Sequence, residues 1–168
     1  MILSDCFRQS ETAALTHNWI LVSQDHNLAP IDSLAECLAD KIMEDRCIGC
    51  PHHYEAWKQR FLRGTPLSST SYEALSKGFI KPIFGLPNQD FSLEHLQGAV
   101  SQYLWYFLVL ESSVEPIERI ERSGFAATDH GGDGMTIHRV LDGYLMFRLW
   151  EIKKSTGNSP VSASVNTA

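Results

Sequence analysis

The sequence predicts an α/β (α+β) protein in which an N-terminal helical region packs on a small mixed sheet. Apolar residues recur at helical spacing in several segments before residue 112. After residue 134 the pattern changes to alternating, β-prone residues around an Asp-Gly turn. The 168 residues, 43% of them hydrophobic, suffice for one core. We therefore expect one domain, with a helical region over 1–80 and a sheet-containing core over 90–168.

Two amphipathic helices are predicted in the N-terminal region. The first covers 33–45, where Ser33 and Glu36 match a capping box. The second covers about 52–63 and ends where Gly64 supplies a helix stop. The apolar positions that define the two stripes are Leu34, Cys37, Leu38 and Ile42 in the first helix and Tyr54, Trp57 and Phe61 in the second.

The middle of the chain combines a weak helix, a connector and the strongest helix. The weak helix is expected around 72–77, and two prolines and a glycine make 80–89 a connector. Residues 93–111 are so rich in apolar side chains that this helix must be largely buried. Pro116 is then expected to open a short polar helix that ends at Gly124.

A β-hairpin is predicted after this helix. Residues 135–140 are β-prone, and Asp142 with Gly143 gives a two-residue turn signal. Residues 144–153 continue as the second strand, with alternating and aromatic character.

The hairpin gathers two acidic residues and a lysine. Because side chains alternate along a strand, Glu151 and Lys153 share one face, whereas Trp150 and Ile152 point into the core. Asp133 precedes the partner strand, and a tight hairpin brings its carboxylate beside Glu151. Two carboxylates make the hard oxygen site that Mg²⁺ (or Mn²⁺) prefers. We therefore predict metal-dependent hydrolysis of phosphodiester bonds, with Asp133, Glu151 and Lys153 as the catalytic residues.

Each predicted residue has a chemical task. Asp133 and Glu151 hold the cation, which offsets charge on the phosphate and lowers the pKa of an attacking water. Lys153 orients or helps to deprotonate that water and contacts the scissile phosphate. A plain surface hairpin with solvated charges is the competing interpretation.

The composition indicates how the protein can bind nucleic acid, where it is located and whether its cysteines are reduced. The formal net charge of −6 argues against coating nucleic acid through a broad basic surface, although a metal site needs carboxylates and brings its own positive charge. Neither a membrane span nor a signal peptide is visible, so we expect a cytoplasmic protein without a membrane partner. The cysteine content suits reduced thiols.

The order of the hairpin residues resembles the PD-(D/E)xK nuclease superfamily: a glycine-flanked Asp133, a strand, a tight turn, and a strand that ends in Glu151-x-Lys153. The resemblance implies a sheet of restriction-endonuclease-like type. It also implies a third metal ligand on the preceding helix, where this chain has Gln102 instead of an acid. Cores of this superfamily continue past the Glu-x-Lys strand, so we expect a sheet that is incomplete at its C-terminus. Either 161–168 begins a missing helix or a partner chain completes the sheet.

A narrower resemblance rests on two segments. Residues 128–134, Thr-Asp-His-Gly-Gly-Asp-Gly, and 149–157, Leu-Trp-Glu-Ile-Lys-Lys-Ser-Thr-Gly, are similar to the nuclease-like effectors of the Hachiman anti-phage defence system. This resemblance implies a DNA substrate, a helicase partner and a role in antiviral defence. Residues 1–80 do not contribute to this resemblance, and it implies no role for them.

Two other functions compete with the nuclease. A nuclease-like domain that has lost cleavage would serve as a DNA-binding or partner-docking module, which the neutral Gln102 favours. Cys47 and Cys50, followed by His52 and His53, match half of a zinc site, but a second Cys/His pair at suitable spacing is missing. A zinc-stabilised interaction protein is therefore the least favoured function.

Neighbouring residues offer further candidates. His130 and His138 flank Asp133 and can contact phosphate or transfer protons, although a strand histidine is more often a half-exposed filler. Asp129 competes with Asp133 as the ligand. A basic helix face is a candidate contact with DNA, although a solvated face is the favoured interpretation. That face consists of Lys58, Arg60 and Arg63.

Overall fold

The computed structural model describes residues 2–13, 18–24, 27, 30–84, 93–121 and 134–150. The chain is α+β, as the sequence predicts. After a 3₁₀ turn at Leu3–Cys6, the elements in chain order are β1 (Phe7–Ala13), β2 (Asn18–Gln24), α1 (Ile31–Arg46), α2 (Pro51–Trp57), α3 (Ser69–Leu75), α4 (Lys81–Phe84), α5 (Leu93–Ser112), β3 (Ile117–Ile120), β4 (Met135–Arg139) and β5 (Leu145–Leu149). β1 and β2 form the first sheet, and β3, β4 and β5 form the second in that order. Every described strand pair is antiparallel, so the expected mixed pairing is not seen in this part of the chain.

The N-terminal region begins with a β-hairpin, which corrects the prediction of a helical region over 1–80. β1 and β2 pair with Phe7 opposite Gln24. Most side chains of β1 are polar and exposed, so the sequence carries no hydrophobic alternation there. Leu3 and Cys6 in the preceding turn are buried and anchor this end of the chain.

Helix α1 buries the predicted stripe but begins earlier than predicted. It starts at Ile31, directly after Pro30, and no side chain caps its N-terminus. Leu34 N donates to Pro30 O at 3.1 Å, which closes the first turn. Ser33 and Glu36 therefore lie inside the helix, and the predicted capping box is wrong.

Helices α2 and α3 confirm the predicted positions and extend beyond them. α2 continues through a π-helical turn, Lys58–Leu62, and the chain then leaves the helix at Gly64, whose φ is +68°. α3 begins after Ser68, whose side chain accepts a backbone hydrogen bond, and continues as a π-helical turn, Ser76–Ile80. α4 then occupies part of the predicted connector, so that part is helical, and 85–89 lies outside the described residues.

Two clusters of buried side chains hold the helices together. The main core joins the N-terminal turn, α1 and α5 through Leu3, Cys6, Leu34, Ile42, Ala99, Tyr103, Tyr106, Phe107 and Leu108. The second core joins α1, α2 and α3 through Met43, Cys47, Trp57 and Leu75. Ile42 and Met43 are adjacent in α1 but belong to different cores, so α1 lies between the two clusters.

Helix α5 is the buried helix that its composition predicts. Its C-terminal end is tied to the rest of the fold by Glu111, which pairs with Lys41 Nζ at 2.8 Å and accepts a hydrogen bond from Ser4 N at 2.8 Å. The hydrogen bond to Glu111 raises the pKa of Lys41. Among the described residues, no helix combines the length and apolar character that crossing a membrane requires.

The second sheet contains the predicted hairpin and one strand that was not predicted. β4 and β5 pair in a continuous register that opens with Met135 opposite Leu149. Their loop holds three residues, 141–143, and not two, because Gly143 N donates to Val140 O at 2.8 Å and Gly143 then adopts a φ of +80°.

Strand β3 replaces the expected polar helix. Ile117 lies opposite His138 and Ile120 lies opposite Thr136, with an irregularity in the register between them. The prediction of a helix from Pro116 is therefore wrong in its described part. The register shift lets both isoleucines face the same side of the sheet, since His138 and Thr136 also share one side.

Candidate functional site

The second sheet packs on α5 through two tryptophans. The rings of Trp105 in α5 and Trp150, directly after β5, lie 6.1 Å apart between centroids at an angle of 59°. Trp150 N donates to Gly134 O at 2.7 Å, which adds one interaction beyond the end of the β4–β5 ladder. A Cβ atom at Gly134 would overlap the indole of Trp105. Glycine is therefore required where the helix meets the backbone of the hairpin.

The face of this sheet that turns toward α5, called the inner face below, carries two fully buried polar side chains beside the apolar Ile117, Ile120 and Met146. Thr136 and His138 are both 0% exposed. Trp150 Nε1 donates to Thr136 Oγ1 at 3.1 Å, and Thr136 Oγ1 lies 2.8 Å from His138 Nε2. The three side chains form one connected hydrogen-bonded group beneath the open end of the hairpin.

Two polar atoms of this region lack a partner among the described residues. They are His138 Nδ1 and Trp105 Nε1, and both are buried. A buried polar atom without a hydrogen bond costs free energy, about 1–3 kcal/mol. Buried polar atoms of folded proteins are usually hydrogen-bonded, so these two are exceptions among the described residues.

The opposite face, called the outer face below, carries large apolar side chains, several of them exposed, together with Arg139. Phe147 is 63% exposed and Leu149 is 83% exposed. Five large apolar side chains share this face according to the register: Met135, Ile137, Leu145, Phe147 and Leu149. An antiparallel sheet with one covered face normally buries its apolar side and exposes its polar side. In this sheet, by contrast, the two fully buried side chains of β4 are polar, and the most exposed side chains of β5 are apolar.

The predicted catalytic residues lie just beyond the described part of the hairpin. Asp133, Glu151 and Lys153 fall outside the described residues and stay predictions. Gly134 and Trp150 are the immediate neighbours of Asp133 and Glu151, and both are described. The contact between Gly134 and Trp150 is therefore the structural observation nearest to the predicted site.

The other predicted ligands have mixed outcomes. Gln102 is half-buried on α5, one helical turn before Trp105. His130 and Asp129 lie outside the described residues. His138 is not the half-exposed filler that a strand histidine usually is, since it is fully buried and contacts Thr136.

Cys47, which precedes α2, is a core residue of the fold. Cys47 is buried in the second core, and burial raises the pKa of its thiol to about 11. Zinc binds the thiolate, so this environment disfavours Cys47 as a ligand. His53 packs on Phe79 with ring centroids 4.8 Å apart. Within the described residues, no three His, Cys, Asp or Glu side chains are grouped so that they could hold a metal.

The basic helix face is partly neutralised. Lys58 Nζ pairs with Glu55 at 3.1 Å and lies 4.5 Å from the ring centroid of Tyr54. Arg60 and Arg63 are exposed. The solvated interpretation of this face agrees with these contacts.

The inner-face group was not identified from the sequence. Thr136 and Trp150 are fourteen residues apart, and Trp105 lies on a different element. The signal that was present is the alternation of Thr136 and His138 with the apolar Met135 and Ile137, which places two polar side chains on one face.

The comparisons with known proteins identify no relative. No family model, no curated protein and no solved structure matches this chain. A functional assignment therefore rests on the residues of the site.

Proposed function

We propose that this chain is a Mg²⁺-dependent DNA nuclease whose metal ligands Asp133 and Glu151 meet at the open end of the β4–β5 hairpin. The observation that supports the proposal is the hydrogen bond from Trp150 N to Gly134 O at 2.7 Å. It extends the register of Met135 opposite Leu149 by one pair. One further antiparallel pair would set Asp133 opposite Glu151.

The donor set fits a hard divalent cation. Carboxylate oxygens are the ligands that Mg²⁺ and Mn²⁺ prefer. When bound, the cation would neutralise charge on a phosphodiester and make water a better nucleophile. Lys153, two residues from Glu151, would contact the phosphate and orient the water.

Whether Gln102 can be a ligand of the proposed metal depends on the face of the sheet that carries the metal. If the alternation of Met135 and Leu149 continued along the two strands, Asp133 and Glu151 would lie on the outer face, where a phosphate would have access. Gln102 lies on α5, which packs on the inner face. It reaches the site only around the end of the hairpin, so the proposed metal depends chiefly on the two carboxylates.

The negative net charge of the chain favours a function in which a second protein binds the DNA. At a net charge of −6, the chain is unsuited to hold DNA by itself through phosphate contacts. A helicase partner, as the resemblance to anti-phage effectors implies, would hold the DNA and present it to the hairpin. Defence against phage is the cellular role that we propose on the same basis.

The nuclease is tested by cleavage of fluorescently labelled DNA with Mg²⁺ or Mn²⁺. Glu151→Ala and Lys153→Ala should each lower the rate on the order of 100-fold or more, because several kcal/mol of charge stabilisation are lost. Asp142→Ala, at the turn end of the same hairpin, is the matched control and should cleave normally. Full activity in both site variants would refute the mechanism.

A second function, partner docking without cleavage, is favoured by the outer face. The described residues leave most of Phe147 and Leu149 exposed on that face. An exposed apolar patch of this kind is typical of a protein-binding surface. The occupant that we propose is the helicase partner.

Docking is tested by co-purification with a helicase from the same genome. The double variant Phe147→Ser, Leu149→Ser should lose most of the bound helicase, because both apolar side chains leave the interface. Ile48→Ser removes an equally exposed apolar side chain from a different surface, 60% exposed in the wild type, and should retain the partner. Equal retention by both variants would exclude the outer face as the docking surface.

A further inference from the structure

Residues 51–62 and 69–80, called the first and the second repeat below, share a structure and a sequence pattern. Each consists of a seven-residue helix, α2 or α3, that continues as a five-residue π-helical turn. The matched residues are Tyr54, Glu55, Ala56, Trp57, Phe61 and Leu62 in the first repeat and Tyr72, Glu73, Ala74, Leu75, Phe79 and Ile80 in the second. Matched side chains that pack differently therefore show where one repeat lacks a neighbour that the other has.

The two repeats lie side by side in opposite directions. His53, near the start of the first repeat, packs on Phe79, near the end of the second. Trp57 and Leu75, midway along each repeat, are buried together in the second core. Continuing this register places the end of the first repeat beside Tyr72, near the start of the second. This end of the pair, called the loop end below, consists of Arg60, Phe61, Leu62, Arg63 and Tyr72.

The aromatic side chains of the loop end lack contacts that their matched residues make. Tyr54 donates its hydroxyl to Asp40 Oδ1 at 2.9 Å, whereas the matched Tyr72 is 43% exposed. Phe79 packs on the imidazole of His53. The matched Phe61 stacks on Trp57 with ring centroids 6.1 Å apart, and yet 49% of it is exposed. An occupant of the loop end that replaced these contacts would supply an anionic oxygen and a flat ring.

The loop end is also the positive part of an acidic chain. Residues 51–84 contain five lysines and arginines but two acids, although the whole chain has a net charge of −6. Both acids are paired with lysines: Glu55 with Lys58 and Glu73 with Lys77. No carboxylate in the described part of the chain forms an ion pair with Arg60 or Arg63, and both arginines are exposed. The charge available for binding is therefore that of the two arginines beside Phe61.

We propose that the loop end binds single-stranded DNA, with a base stacked on Phe61 and phosphates paired with Arg60 and Arg63. A nucleotide carries a flat ring and an anion in every unit, whereas an acidic peptide carries the anion alone. Only unpaired bases present a ring face to an aromatic side chain. The choice of DNA rests on the proposed nuclease, and the loop end specifies the form of that substrate. Two arginines make a weak, salt-sensitive contact, so a partner still has to hold the strand.

Stacking is tested by fluorescence anisotropy of a labelled oligothymidylate with the full chain at low salt in EDTA, which prevents metal-dependent cleavage. Phe61→Leu keeps an apolar side chain on Trp57 but removes the ring, so binding should weaken about 10-fold. Phe61→Tyr keeps the ring and should bind like the wild type. Tyr144→Leu removes a ring that is 73% exposed on the second sheet, and as the matched control it should leave the affinity unchanged.

The phosphate contacts are tested by repeating the titration at several salt concentrations. Arg60→Gln should weaken binding and reduce the slope of log affinity against log salt by about 0.7, the contribution of one phosphate contact on a single strand. Arg119→Gln removes an exposed arginine from β3 and should keep both the affinity and the slope. An unchanged slope in Arg60→Gln would contradict the assigned contact. Because Arg60 is exposed, this variant also tests the surface if Phe61→Leu fails to fold.

Each competing occupant has its own outcome. The loss in Phe61→Leu should be confined to single strands, and an equal loss with a duplex of the same length would overturn the stacked base. Displacement of the oligothymidylate by polyglutamate at equal charge would assign the loop end to an acidic polypeptide and overturn the inference. The proposed nuclease fails separately: if Glu151→Ala cleaves DNA at the wild-type rate, the metal site is wrong, while binding in EDTA still decides the loop end.

Discussion

The two faces of the second sheet differ in which side chains are buried and which are exposed. The inner face buries Thr136 and His138 completely, whereas the outer face exposes most of Phe147 and Leu149. Both faces come from the same two strands and alternate residue by residue. The alternation alone therefore does not tell which face is buried. The position of α5, and in particular of Trp105, decides it.

The comparison also shows what each face requires. Polar side chains on a buried face need hydrogen-bond partners, and Thr136 obtains two of them from Trp150 and His138. Large apolar side chains on an exposed face are stabilised by burial against another surface. The described residues leave most of Phe147 exposed. The inner face is thus held by hydrogen bonds between buried side chains, whereas Phe147 and Leu149 on the outer face remain mostly exposed.

The largest change in the free energy of unfolding is expected where the inner face contacts helix α5. Gly134→Ala should destabilise the protein by about 1–3 kcal/mol, because the new methyl group overlaps the indole of Trp105 and forces the helix or the hairpin to shift. Urea denaturation followed by tryptophan fluorescence measures this change.

The matched control for that substitution lies in α5 itself. Gly98 is helical and has open space around its Cβ position, so Gly98→Ala should leave stability unchanged or raise it by about 1 kcal/mol through helix propensity. Opposite signs for the two substitutions would confirm that contact with Trp105, and not glycine content, governs the result. Equal effects would mean that the inner face is not closed by Trp105.

Sequence patterns sufficed for the elements whose signals are local. Helix α5 followed from its continuous apolar character, and the β4–β5 hairpin followed from β-prone residues around Asp142 and Gly143. Strand β3 was missed because Ile117–Ile120 has no strand pattern of its own. It becomes a strand by pairing with β4, which is distant in sequence. β1 was missed for a similar reason, since its polar residues are paired with β2 but largely exposed.

The predicted catalytic residues lie outside the described part of the chain, so this part of the prediction has no structural outcome. The acids and the lysine were placed on the hairpin from their spacing, and they remain predictions beyond Gly134 and Trp150. The supporting contacts were not predictable, because Trp105 reaches the hairpin from another element and Thr136 meets Trp150 across the strands. Such contacts depend on packing between elements, which alternation within one strand does not encode.

The smallest effect on stability is expected on the outer face. Phe147→Ser should change the free energy of unfolding by less than about 0.5 kcal/mol, because a side chain that is 63% exposed loses little packing when it is shortened. The same urea titration measures it, and binding of a hydrophobic dye should fall as the apolar surface shrinks. A loss comparable to that of Gly134→Ala would show that Phe147 is packed within the chain, and the contrast between the two faces would disappear. An unchanged free energy of unfolding would mean that the fold does not require the apolar side chain of Phe147. This result is expected of a surface that binds a partner.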